Sequence, residues 1–504
     1  MRSWVVICSR SSPAVSCATA TRGAIRVMTH TPHTQPFITT DGDVVASRAP
    51  ARERWSWALY DFSNTIFSMN IATLFFAVWL IKDVGASNTM AAVASSLSSV
   101  LVVLSIPIFG AISDATQRRK PWVVGFTLMA VTMTVVLGIV GQTMIPLVGE
   151  AVRNPSASTY ALAGLPAVAI LGAFILANWA YQGAMPFYNA MMFELVPPHE
   201  LGRLSGAGTA LGYVGAIAGV LLVSPFFNGA MPVVGELSTG VMDFLRSIVP
   251  FTGNAGRVST FVPTAMLFLL FSLPLFIFCR DHNARAGKRS IAWREAFQGV
   301  IQTLRDSKKY PGALRFLLAS FLYQDAIGTI IQYMALYAVM AMGFERGQEV
   351  TLFVVLTVPA AIGSFFIGRL VDRIGPKRSL LFVIAGWVVL LIAMILVPNR
   401  MSFWIVGGAI GLIFGGVATS ERPLLLTLVP DVEAARFFSL MVLSSRAAAI
   451  AGPLIWGWTV DGLLPSFGIG FAYRAAVMTV ATAMFLSLIL LWKVPDKWRP
   501  QLAK

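Results

Sequence analysis

The sequence predicts an all-α integral membrane protein of twelve transmembrane helices arranged as two pseudo-repeated six-helix bundles. Three observations lead there. Of 504 residues, 56% are AVILMFWYC and only 12% are charged, whereas an ordinary soluble domain carries about 25% charge, and the mean hydropathy is +0.73. Apolar runs of membrane-crossing length recur along the chain. Two loops, one in each half, repeat the same Gly, Asp and basic pattern.

The elements follow in order. A span needs about 20 apolar residues, and backbone groups in lipid must be satisfied internally, so runs of this length are helices and not barrel strands. Span 1 is Trp57–Leu80 and carries Asp61. Spans 2 to 6 are Thr89–Ile112, Pro121–Gly149, Asn154–Phe193, Leu204–Gly235 and Val258–Cys279, all without Asp, Glu, Lys or Arg. Span 7, Phe316–Met342, carries Asp325. Spans 8 to 10 are the uncharged Val350–Gly368, Ser379–Asn399 and Met401–Ser420; span 11, Phe437–Val460, carries Arg446, and Ala475–Trp492 is span 12. Domains then run 1–54 (an N-terminal tail), 55–280 (first bundle), 281–312 (basic linker, with Ala292–Leu304 as an interfacial amphipathic helix), 313–494 (second bundle) and 495–504 (a short tail). The Ser/Thr/Ala-rich N-terminal tail reads as disordered, ahead of a targeting segment or a true start at Met28. Pro107, Pro186, Pro274, Pro359 and Pro453 are candidate kinks, and most Trp and Phe are expected at lipid or the interface.

The net charge of +15 is topological. With the N-terminus inside, Arg118, Arg119, Lys120, Arg203, the Arg280–Lys309 cluster, Arg369, Arg373, Lys377, Arg378 and Arg436 fall in cytoplasmic loops. They outnumber Lys82, Arg153, Arg246, Arg257, Arg346, Arg400 and Arg474 opposite, as positive-inside bias requires. Both termini are therefore expected in the cytoplasm, the membrane is expected to be a bacterial plasma membrane, and a nucleic-acid partner is excluded. Three cysteines, Cys8, Cys17 and Cys279, have no paired or metal-ligand spacing. His199-Glu200 lacks a second His, and no phosphate-binding G-x-x-x-x-G-K-[ST] loop exists. No cofactor, metal or enzyme activity is expected.

The repeat is specific. Gly110-Ala-Ile-Ser-Asp114 with Arg118, Arg119 and Lys120 matches Gly368-Arg-Leu-Val-Asp372-Arg373 with Lys377 and Arg378. Leu195-Val-Pro197, Glu200, Arg203 and Ala216-Ile-Ala-Gly219 match Leu428-Val-Pro430, Glu433, Arg436 and Ala449-Ile-Ala-Gly452. Asp61, Thr65 and Ile66 match Asp325, Thr329 and Ile330. Parallel halves with a site between them are a transporter architecture. Both basic loops read as conformational latches in which Gly allows close helix approach and Asp pairs with cations and a helix end. Gly202, Gly206, Gly208, Gly212, Gly215 and Gly219 give span 5 the small-xxx-small spacing of a closely packed helix.

Those loops resemble the signature of the major facilitator superfamily. A narrower set resembles the vacuole effluxer family, its autophagy-related branch: Trp57-Ala-Leu-Tyr60-Asp61-Phe62-Ser63-Asn64, Arg119-Lys120-Pro121-Trp122, the Asn189 to Gly206 segment, Leu322-Tyr323-Gln-Asp325 and Ser445-Arg446 with Gly452-Pro453. Ser63, where Ala is usual, and Arg446, where Lys is expected, depart from it. The resemblance implies the major facilitator fold, a central cavity lined by spans 1, 4, 7, 10 and 11, and export of amino acids by fungal members.

Charges inside a membrane are functional candidates because burial is costly. Asp61, Asn64 and Ser68 share one helix face, as do Asp325, Thr329 and Gln332; Asn178, Gln182, Met185 and Asn189 line another in span 4. Asp325 and Arg446 each lie about ten residues into their spans, roughly 15 Å deep at 1.5 Å per residue, and are expected to pair at the midplane. Asp61 or Glu421, the latter beside Arg422, is a candidate proton carrier. Trp179 or Tyr181 is a candidate aromatic clamp. The expectation is a monomeric secondary transporter that moves a small polar solute, an amino acid or related metabolite, by alternating access in the efflux direction with proton coupling. The rivals are a cation-coupled sugar or organic-acid symporter and a non-transporting receptor or lipid scramblase on the same scaffold.

Overall fold

In the computed structural model the described residues are 49–116, 118–153, 165–197, 200–231, 235–252, 256–281, 293–345 and 348–496. Short antiparallel strand pairs, Ala20–Thr21 with Ala24–Ile25 and Phe37–Ile38 with Val44–Val45, precede them. Most of the expected 1–54 tail, with Cys8, Cys17 and Met28, and the residues after 496 lie outside the described residues.

The described residues are nearly all helical, and ten stretches among them are long and apolar enough to cross a membrane. Spans 11 and 12 run together in that number, and the middle side chains of span 8 are not described. Span 1 begins at Ala51 and continues to Asp83, but from Ser68 to Phe75 and again from Trp79 to Asp83 its turns are π-helical. Such wide turns are frequent at functional sites, and this one begins where the Asp61–Asn64–Ser68 face ends. Spans 2 to 4 are Asn88–Thr116, Lys120–Arg153 and Leu165–Leu195. Span 5, Leu201–Asn228, stops seven residues short of the expected Gly235, at a left-handed Gly229 (φ 75) that caps the helix at no steric cost. Arg257–Thr260 and Phe261–Phe278 form span 6.

Between the halves lies the helix Trp293–Asp306, close to the amphipathic segment read from sequence. Span 7 is Pro311–Met340, started by a proline at its first turn, where a missing N–H costs nothing. Spans 8 and 9 are Gln348–Ile374 and Pro376–Leu396. Span 10 is interrupted at Gly415 between Arg400–Phe414 and Gly416–Leu428. Span 11 is broken too: Asp431–Ala448 ends, and a second helix runs from Ala451 through a non-helical Gly468 to Trp492. Pro453 stands at the break in span 11, as the third residue of the second helix. It has no N–H to offer the carbonyl of Ala449, and in an unbroken helix its ring would clash with that carbonyl.

The core corrects one expectation from sequence. Trp57, Trp79, Trp387 and Trp456 are at most 2% exposed and lie inside the bundles, with Trp57 stacked on Tyr188 at 4.6 Å and Tyr333 on Trp456 at 5.2 Å. Lipid here is as apolar as Leu, so large flat rings go where dispersion contacts are densest. Spans 1 and 5 pack so closely that a Cβ at Gly215 would collide with the Phe62 backbone, as the small-residue spacing predicted. At Gly110 and Gly368 a Cβ would meet nothing within 4 Å, so close approach is not what those two latch glycines provide.

Candidate functional site

The polar side chains fall into three groups. In the first half, the carboxylate of Asp61 lies against span 5, where a Cβ on Gly208 would come within 2.5 Å of its Oδ2, and beside Tyr188 of span 4. Tyr188 donates to the Trp57 carbonyl at 3.1 Å, and the Trp57 indole donates back to the Tyr188 carbonyl at 3.0 Å. One turn on, the Thr65 hydroxyl donates to the Asp61 carbonyl at 2.7 Å. Asn64 donates to the Met185 sulfur at 3.2 Å, while its buried Oδ1 has no partner.

In the second half, Asp325 sits at the break of span 11 and accepts from the Gly452 N–H at 2.7 Å. The break makes a helix N-terminus inside the bundle, with its positive end toward the carboxylate. Any side chain at Gly452 would collide with Thr329 Oγ1 and reach 2.6 Å from Asp325 Oδ1, so only glycine lets the two helices meet here. The Thr329 hydroxyl is buried and unpartnered. Glu421, also buried, accepts from Tyr323 and Gln324 of span 7, both at 2.9 Å. Arg422 beside it is exposed.

The third group joins the halves. Arg446 donates to Gln182 of span 4 at 3.0 Å, Gln332 donates to Ser95 of span 2, and Ser96 donates to the Ile450 carbonyl at 2.8 Å, at the break itself. Further along spans 2 and 11, on the face away from the basic loops, Asp461 accepts from the Thr89 N–H at 2.7 Å and from Asn88 N and Nδ2 at 3.1 and 3.0 Å, and Tyr473 donates to Asn88 at 2.9 Å. The carboxylate of one half thus caps a helix of the other. Asn178 donates to Ser98 at 2.7 Å within the first half. Trp179 is tied to Ser105 and Tyr181 is stacked on Phe67, so neither is a free aromatic clamp, and Asn189 is exposed.

The expected Asp325–Arg446 pair is not made in this conformation. Asp325 of span 7 is turned to the Gly452 amide, which follows the span 11 break, and Arg446, which precedes the break, reaches across to Gln182. The span 2 serines, Asp461, Tyr188, Tyr323 and Gln324 were missed from sequence. Ser95-Ser96-Leu-Ser98-Ser99 in an otherwise apolar span was the signal for the first.

The latch loops also have partners that sequence did not supply. Arg119 forms an ion pair with Glu194 of span 4 at 2.7 Å and donates to the Ala190 carbonyl at 2.6 Å. Asp281, just after span 6, accepts from the Arg119 and Lys120 amides at 2.9 Å each. In the second half Asp496, just after span 12, pairs with Arg378 at 3.3 Å, and Lys377 donates to the Trp492 carbonyl at 3.2 Å. Asp372 and Arg373 are exposed, as is Arg118; the side chain of Asp114 lies outside the described residues. Cys279 lies buried, its thiol directed at the Glu53 carbonyl at 3.3 Å. Among the described residues no group of three His, Cys, Asp or Glu could hold a metal ion.

Comparison with known proteins fits this architecture. The family model described as "Vacuole effluxer Atg22 like" matches residues 81–497. The MFS-type transporter YxiO of Bacillus subtilis is 23% identical over 449 residues, covering 88% of this chain and 94% of its own. The multidrug resistance protein MdtG of Proteus mirabilis is 24% identical over 421 residues, 82% of this chain and 87% of its own. Among solved structures, a bacterial homologue of the human lysosomal transporter Spinster, inward-facing and unoccupied, superposes with a TM-score of 0.64 at 14% identity, covering 89% of this chain and 98% of that one.

Proposed function

The chain belongs to the Atg22-like vacuole effluxer family and is a membrane transporter of the major facilitator type; from that premise we propose that it exports a small polar solute, an amino acid or related metabolite, by proton-coupled alternating access. The observation that carries the reading is Asp325. Its carboxylate is 5% exposed, lies near the middle of span 7 and is held by a backbone amide instead of a cation. A buried carboxylate of this kind exchanges a proton when its surroundings change, and the neighbouring break in span 11 gives it a way to sense a moving helix.

The cross-half bonds of Arg446 with Gln182 and of Asp461 with the start of span 2 support rocking of one half against the other, since each must break when the faces exchange access. On this reading the face holding Asp461 is external, both termini are cytoplasmic, the protein works as a monomer, and the membrane is the bacterial plasma membrane. The test is uptake of labelled amino acids into proteoliposomes, with and without an imposed proton gradient. Wild-type protein is expected to accumulate solute with the gradient, and Asp325→Asn to lose accumulation while still exchanging solute across the membrane. Gradient-driven flux unchanged in Asp325→Asn would remove Asp325 from the coupling.

A further inference from the structure

Arg446 is a cation without a counter-charge. Its guanidinium is a fork of N–H donors, and among the described residues it makes one hydrogen bond, to the Gln182 side-chain oxygen at 3.0 Å, and no ion pair. The acids of the neighbouring spans are engaged elsewhere: Asp325 on the Gly452 amide, Glu421 by Tyr323 and Gln324, Asp61 beside Tyr188 and against span 5. Tyr181, the residue before Gln182, is within electrostatic range of Arg446 and of Asp61, with Asn64 and Ser68 of span 1 at its hydroxyl. The side chains closest to the cation are therefore neutral and polar.

The guanidinium is also within reach. Arg446 is half-buried, and its nitrogens are not sealed inside the protein, unlike the Nε atoms of Arg119 and Arg474. It stands at the seam between the halves, just before the first helix of span 11 ends at Ala448. That helix end offsets about half of its charge, and the remainder, at membrane depth, draws an anion. An arginine fork matches a carboxylate through a pair of parallel N–H···O bonds, and a lone positive charge balances a carboxylate better than a doubly charged phosphate.

We propose that Arg446 is the head-group subsite of the transporter: its guanidinium takes the carboxylate of the solute, and Gln182 holds the side chain until the solute arrives. The proposal rests on the transporter reading and narrows its solute from small polar molecules in general to carboxylates. Because the Gln182 bond joins the halves, a carboxylate that draws Arg446 away from it loosens that seam on binding.

The test is saturable binding to the full-length protein in nanodiscs, with empty nanodiscs subtracted. The probes are alanine, serine, leucine, phenylalanine and lysine, each compared with its C-terminal amide, which lacks the carboxylate, and with its deaminated acid, which lacks the α-amine. At least one amino acid or deaminated acid is expected to bind tenfold or more tightly than the matching amide. Arg446→Gln, which removes the charge and keeps a hydrogen-bonding side chain, is expected to erase that preference. Gln182→Glu decides the matter should Arg446→Gln not fold. It places a built-in carboxylate where the amide oxygen now meets Arg446, so binding of the acids is expected to fall at least tenfold while the thermal midpoint does not fall. A purely structural Arg446 would gain a stronger tie and lose no ligand.

Three results overturn the subsite: no acid is preferred to its amide, the preference survives Arg446→Gln, or it survives Gln182→Glu. Deaminated acids that bind while the amino acids do not would end the amino-acid reading and leave the carboxylate subsite standing. Preference for the acids without gradient-driven flux would end the proton coupling and likewise leave it standing.

Discussion

The two halves repeat one another in sequence, yet the paired helices at their centres are built differently. Span 5 is one continuous helix against span 1; span 11 is two helices against span 7. The repeat sets Ala216-Ile-Ala-Gly219 opposite Ala449-Ile-Ala-Gly452, and the next residue is Val220 in one half and Pro453 in the other. That difference removes the donor to the Ala449 carbonyl at the place where span 11 is broken, and there the Gly452 amide is the partner of Asp325. Asp61, the matching acid, lies against Gly208 and Tyr188 instead. The small residues differ in the same sense. Gly208, Gly212 and Gly215 hold span 5 flat on span 1, and their counterparts Met441, Ser445 and Ala448 cannot let span 11 lie so close. One half is a rigid pair; the other carries a joint.

The comparison is broken first at the latch of the rigid half. Arg119 and Glu194 are 12% and 3% exposed in their side chains, and removing one partner of a buried pair costs about 3–5 kcal/mol because the other charge is left uncompensated. Glu194→Ala is therefore expected to lower the thermal midpoint in detergent more than any other variant named here, read by the loss of monodisperse protein on heating.

Moving the joint is the next largest change. Val220→Pro would break span 5, where Gly219 is pressed against Ile66 and no carboxylate waits for the freed amide. A proline inside a helix costs about 3 kcal/mol, and the same thermal measurement should show it. A shift of less than a third of that would mean that span 5 has the slack attributed here to span 11 alone.

The reverse change should leave the fold intact and alter function. Pro453→Val restores the N–H to Ala449, lets span 11 heal and returns the Gly452 amide to the helix, so Asp325 loses its donor. An unsatisfied buried polar group costs about 1–3 kcal/mol, small beside the stability of two bundles, but it falls on the acid proposed to carry the proton. Gradient-driven flux in proteoliposomes is expected to fall at least tenfold with little change in thermal midpoint. Unchanged flux would show that the joint is a packing feature.

Much of this was legible in the sequence for a physical reason. Membrane spans need long apolar runs, so the helices and the two-half organisation can be read from residues such as Thr89–Ile112 or Ser379–Asn399 without knowing any contact. The polar faces were legible because i, i+3, i+4 spacing puts side chains on one side of a helix. The neighbour each face meets was not. Asp325 and Arg446 have opposite charge and similar depth, but pairing depends on helix rotation and on a break whose signal, Pro453 four residues after Ala449, reads in sequence as no more than a kink. Ser95 and Ser96 were missed because a hydroxyl in an apolar run is weak evidence until its partner, Gln332 or the Ile450 carbonyl, is known. Glu194 and Asp281 were missed because each stands at the end of an apolar run, where a charge reads as a boundary.

The smallest expected effect lies at the latch of the jointed half. Arg378 and Asp496 occupy the places that Arg119–Lys120 and Asp281 occupy in the first half: a basic residue opening the third helix of a bundle and an acid just past the sixth. Their side chains, however, are 68% and 31% exposed, and their closest approach is 3.3 Å. Glu194 has no acidic counterpart, since the repeat puts Thr427 there. Exposed pairs are screened by water and salt and contribute about 0–1 kcal/mol. Arg378→Ala should therefore move the thermal midpoint barely at all, and raising the salt from low to physiological should shrink even that shift, since charges in water are screened over about 8 Å at 0.15 M. Glu194→Ala should keep most of its effect in the same salt series. Equal losses from the two variants would mean that both halves are latched alike, and the asymmetry would then reside in span 11 alone.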